Sequence, residues 1–137
     1  MLTTSQYFGK WVTSPDITPE ISANAKLLVE ACNKLIAHML EHGFVFEIND
    51  FTNSIVGGET LGGFRPQSCK IGAPRSAHKQ GMAVDIFDPE NKIDNWLWEN
   101  KHILDKFNLY FEHPSATPRW SHWTIRKPAS GRRFFYP

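Results

Sequence analysis

Between Ser76 and Asp85 the chain reads Ser-Ala-His-Lys-Gln-Gly-Met-Ala-Val-Asp, so an imidazole and a carboxylate stand seven residues apart around the small residues Gly81 and Ala83. If His78 lies in a loop and Asp85 in the strand that follows, a turn at Gly81 folds the imidazole back over the strand, and both side chains face one point. Along that strand Met82, Val84 and Ile86 point one way and Ala83, Asp85 and Phe87 the other, which sends Asp85 into a cleft while its neighbours enter the core. A carboxylate buried without a partner is costly, and a divalent cation removes the cost. Catalytic zinc takes three protein ligands from His and carboxylate groups and keeps one position open. His122 is the best third ligand, because alternation in Trp120-Ser121-His122-Trp123-Thr124-Ile125 turns Trp123 and Ile125 inward and His122 to the other side.

Several elements must position these groups. Thr18-Pro19-Glu20 combines an N-cap residue, a proline suited to the first helical position and an early acid. With Leu28, Cys32, Leu35 and Met39 at helical spacing and Gly43 as a stop, it predicts a helix over about 18–42. Phe44 to Ile48 reads as a short strand, and the glycines and prolines between Asn53 and Arg75 read as an ordered surface loop. Met82 to Phe87 is a buried strand closed by the turn residues Asp88-Pro89-Glu90-Asn91, before a second helix that carries Ile93, Leu97, Leu104 and Phe107 with Asp94 as its cap. Leu109–Glu112 and Trp120–Arg126 are the remaining strand candidates.

The pattern Ser-x-His-x-x-Gly-x-Ala-x-Asp, followed downstream by a His flanked by Trp, closely resembles the zinc D-alanyl-D-alanine carboxypeptidase family, which includes phage endolysins. Gly63-Phe64-Arg65-Pro66 is similar to the family's Ser-Gly-Tyr-Arg segment, and the likeness covers roughly residues 20–126. Five fixed positions within ten make the first motif far more specific than a bare His/Asp pair. The resemblance implies an α+β fold of the hedgehog and D-alanyl-D-alanine peptidase type, a small antiparallel sheet with flanking helices. It also implies a zinc ion (Zn2+) on His78, Asp85 and His122, and cleavage of peptide bonds next to D-amino acids in bacterial peptidoglycan. In much of the family the general base is an acid three residues before the last ligand; here that position is Arg119. Glu112, the nearest upstream acid, is expected to take that role, with His113 the weaker substitute. Arg65 is expected across the cleft, on a substrate carboxylate or the developing oxyanion. Ser76 would orient His78 or the substrate, and Trp120 would wall the cleft.

Blander roles stand beside these. Glu112 reads equally as a solvated edge carboxylate or an ion-pair partner of Arg119, Arg65 as an exposed loop residue, and Ser76 as a turn residue. His38, His42 and His102 fall on helices or their ends and receive no function, and the Arg132-Arg133 and Phe134-Phe135-Tyr136 cluster reads as a docked or frayed tail.

Length and composition bound the rest. The 137 residues fit one domain, residues 1–137, as single cores commonly serve roughly 100–150 residues. A net charge of +1 offers no broad field for nucleic acid. No apolar run is long enough for a bilayer, and the first residues lack a secretory pattern, so synthesis in the cytoplasm and action on the cell wall after release are expected. Cys32 and Cys69 are expected as free thiols and the chain as a monomer. The expected partners are peptidoglycan stem peptides, with neither nucleic acid nor membrane. The competing function, suggested by Arg119, is a non-catalytic zinc-containing module of the same fold that binds cell wall or serves in a virion.

Overall fold

The computed structural model describes all residues from Met1 to Pro137. Its helices are α1 (Thr4–Phe8), α2 (Pro19–Glu41) and α3 (Lys92–Glu99), and its strands are β1 (Ala83–Phe87), β2 (Tyr110–Glu112), β3 (Trp120–Thr124) and β4 (Phe134–Phe135). The architecture is α+β.

The long helix begins where its sequence demands. The Thr18 hydroxyl accepts the Ile21 amide, Pro19 occupies the first turn where no amide is needed, and the apolar stripe Leu28, Cys32, Leu35, Ile36 and Met39 is buried. That stripe, the inner faces of β1, β2 and β3 (Val84, Ile86, Phe111 and Trp123), and residues from α1, α3 and the Ile55–Phe64 loop join in one apolar cluster of 22 residues. Trp123 is fully buried, and its indole Nε1–H donates to Ser121 Oγ, which satisfies the one polar atom it carries inward.

The sheet runs in the order β1-β3-β2-β4. β3 pairs antiparallel with β1, Asp85 opposite His122, and antiparallel with β2, Phe111 opposite Trp123. The expected all-antiparallel sheet is corrected at one edge. β4 runs parallel to β2, because the chain after β3 loops back through Pro128 and Gly131 before the tail docks, with the Phe111 amide donating to Arg133 O. The tail is therefore docked.

Four other expectations change. Phe44 to Ile48 is not a strand: Phe44 and Phe46 do pack on the core and Val45 is 79% exposed, but the β1 edge is taken by the segment around Val56, which bridges Ile86, so the alternating segment has no strand to join. The glycine-rich stretch is not purely a surface loop, since Val56 and Phe64 are buried in the core. Asp94 does not cap α3. Asp88 does, accepting the Ile93 and Asp94 amides with its two oxygens, while Asp94 lies buried inside the helix and accepts from the Thr117 hydroxyl at 2.7 Å. Finally, the second helix ends at Glu99, and residues Lys101–Phe107 continue as a 3-10 segment.

Candidate metal centre

His78 sits on a 3-10 turn, Ala77–Gln80, that begins at Ser76 and ends at Gly81 in the left-handed conformation, φ 75°. Ser76 Oγ accepts the His78 amide at 3.3 Å, and a Cβ on Gly81 would lie 2.7 Å from Ile21 O on α2. Gly81 thus meets both a backbone requirement and a close helix contact, and it lets the imidazole swing over β1. The same turn delivers the Arg65 amide to His78 O at 3.3 Å.

Asp85 and His122 are register partners on β1 and β3, so their side chains rise from one face of the sheet. His122 Nδ1 lies 2.8 Å and His78 Nε2 3.3 Å from the same oxygen, Asp85 Oδ1. One ligand atom from each of the three residues falls within 4.8 Å of the other two. Ligand atoms about 2.0–2.2 Å from a tetrahedral ion are themselves roughly 3.3 Å apart, so little movement is needed to enclose one. The cluster is able to hold a metal ion.

The surroundings prepare these groups as ligands. His78 Nδ1 faces Gly63 O at 2.8 Å, and a carbonyl can only accept, so Nδ1 carries a proton and Nε2 is the nitrogen turned toward Asp85 and the centre. Burial pushes the Asp85 carboxyl up, but the charge of His78 and the hydrogen bonds of both histidines more than reverse this and hold it well below the usual range. Asp85 is therefore ionised, and Arg65 Nη2 stands 3.5 Å from its second oxygen.

Glu112 ends β2, one residue beyond its last pair with β3 and so opposite His122 in the continuing register, and its Oε1 is 3.9 Å from His122 Nε2. Burial raises its pKa above the ordinary glutamate value, outweighing the pull of His122. No ion pair joins it to Arg119.

A cavity of about 620 Å³ opens above these groups, lined among others by Arg65, Ser76, Trp120 and Arg126. All seven residues singled out from the sequence, His78, Asp85, His122, Glu112, Arg65, Ser76 and Trp120, line it. His113 does not; its ring stacks on Tyr136 with centroids 4.6 Å apart and its Nδ1 engages Ser115, which removes it as a substitute base. Two contributors were not legible beforehand. Gly63 O fixes His78 from a remote loop, a contact without a sequence signal, and Phe135 and Tyr136 of the docked tail form part of the cavity wall. The apolar run Phe134-Phe135-Tyr136 was the available hint for the tail.

No family model matches the chain, and neither the curated proteins nor the solved structures searched yield a match. No helix is long and apolar enough to cross a membrane.

Proposed function

We propose that this chain is a zinc metallopeptidase of the D-alanyl-D-alanine carboxypeptidase type, which hydrolyses peptide bonds in the stem peptides of bacterial peptidoglycan as a phage endolysin does. The observation that carries the reading is the meeting of His78, Asp85 and His122 within 4.8 Å on the floor of an open cavity, with the carboxylate of Glu112 beside them. Two imidazoles and one carboxylate form a donor set that suits zinc and leaves a position free. Bound there, zinc supplies an activated water at neutral pH and polarises the scissile carbonyl.

The protein's own groups do the rest. Glu112 Oε1 takes a proton from the attacking water and returns it to the leaving amine, a role helped by burial, which raises its pKa above the ordinary glutamate value. Arg65, fixed by a 2.8 Å bond from its Nε to Leu61 O, offers its remaining donors to a substrate carboxylate or to the oxygen that gains charge. Ser76 holds the His78 turn in place, and Trp120 walls the bound peptide.

One geometric fact favours a second role for Glu112. Its carboxylate faces His122 Nε2, the nitrogen turned away from Asp85, where it would orient the imidazole as an outer partner of a ligand.

The test is an assay of the purified chain on muropeptides with zinc, after chelation and after zinc is restored. Peptide fragments are expected in the first and third conditions and absent in the second. Absence of cleavage in all three, with zinc bound, removes the peptidase reading and leaves a binding module.

A further inference from the structure

Beyond Trp120 a second cavity of about 300 Å³ is walled by Gly57, Gly58, Leu61, Phe87, Arg65 and Arg119. Asp85, Arg65 and Trp120 line both cavities, so the second opens onto the same centre as the first. Three glycines, Gly57, Gly58 and Gly62, line part of it. A Cβ on Gly62 would stand 2.0 Å from Gly57 O, and the bare glycines bring the loop close without adding a side chain to the space.

Arg119 has no partner in this cavity. It is exposed, makes no ion pair and its guanidinium makes no hydrogen bond, although Asp85 lines the same cavity and Asp88 follows in the register of the sheet. Each of those acids is committed elsewhere. Asp88, one residue past the Phe87–Trp120 pair and so nearest in register, is buried and caps α3 with both oxygens. Glu112 faces His122, and Asp85 faces the two histidines and Arg65. The cavity therefore holds two guanidinium charges against one carboxylate, and a cation at the centre makes it more positive still. An unpaired guanidinium beside a small cleft with a flat indole wall matches a planar anion at the end of a short carbon stem.

We propose that this cavity is a subsite for a side-chain carboxylate of the bound peptide, with Arg119 as the residue that selects it. Identifying the ligand as a peptide rests on the peptidase reading; the anion selectivity itself does not need turnover. Arg119 grips the carboxylate through its fork of donors while Trp120 packs against the stem, and the neighbouring residue of the peptide lies over the metal centre. A peptide with an acidic residue next to the one being cleaved is preferred over its neutral amide.

The experiment titrates the metal-free chain, which holds no ion to support hydrolysis, with L-Ala-D-Glu-D-Ala and with L-Ala-D-Gln-D-Ala, and follows the Trp120 indole and Arg119 Nε–H signals by NMR. The acidic peptide is expected to bind about tenfold more tightly, the scale of one charge-assisted contact. Arg119→Gln brings the ratio close to one, and Arg119→Lys keeps part of it. Equal binding of the two peptides by the wild type, a ratio unchanged in Arg119→Gln, or no movement of the Trp120 indole with either peptide overturns the proposal. Absence of zinc-dependent cleavage alongside the expected ratios would overturn the peptidase reading and leave the subsite standing.

Discussion

At the scale of single residues, the three candidate ligands differ in what else they do, and that separates their variants. His78 is held by Ser76 and Gly63 from the loop side, so His78→Ala removes a ligand while β1 and β3 stay paired. The variant is expected to remain folded by circular dichroism and to lose stoichiometric zinc in elemental analysis; one zinc per chain in the variant contradicts the ligand assignment. Glu112→Gln separates the two roles open to Glu112. As a general base its loss lowers kcat on the order of 100-fold or more with zinc retained, whereas as the outer partner of His122 its loss weakens zinc by about 10–100-fold. Comparing kcat with the zinc dissociation constant decides between them. The triad was legible because its spacing encodes a turn followed by alternation, both local rules. Gly63 O and the partnerless state of Arg119 were not, because each depends on where a distant segment comes to rest.

Whole elements were read well where local and tertiary forces agree, and badly where pairing had to be guessed. The helix from Pro19 carries its cap, its proline and its stripe in one stretch of chain. Phe44 to Ile48 carries a strand's apolar, β-prone composition too, yet a strand also needs a free edge, and the Val56 segment occupies the one at β1. The same edge segment gives a sharp mechanical prediction. Gly62 O accepts the Asp85 amide at 2.6 Å, Gly63 O faces His78, and a Cβ at Gly62 would collide with the Gly57 carbonyl. Gly62→Ala must displace backbone, so a loss on the order of 1–3 kcal/mol in denaturant unfolding is expected, together with weaker zinc binding because both ligand supports move. Wild-type stability with wild-type zinc affinity would show that the loop is not what positions the ligands. Asp88→Ala, by contrast, removes only the cap of α3 and is expected to cost about 0.5–2 kcal/mol with zinc affinity unchanged in a direct titration.

For the molecule as a whole, the carboxylates of Asp85 and Asp94, on two sides of the sheet, pull stability in opposite directions as pH changes. Asp85, held low by its histidines, adds stability to the metal-free chain above the unfolded value of 3.8, and that stability is lost as pH falls below it. Asp94 works the other way. Burial, opposed by hydrogen bonds from Ser121 and Thr117, pushes its pKa up to about 6 from 3.8, so the folded state binds the proton more tightly than the unfolded one. The contribution of Asp94 is then full below about pH 4 and is lost as pH rises through about 6. Asp94→Asn keeps the size of the side chain and removes its titration. The difference in unfolding free energy between variant and wild type is expected to shift in favour of the variant between about pH 4 and 7, by about 1–3 kcal/mol, and to be flat above that. Denaturant unfolding of both proteins, metal-free and across this range, measures it. A constant difference from pH 4 to 7 would mean that Asp94 ionises in the folded chain as it does in the unfolded one, with Ser121 and Thr117 compensating its burial in full.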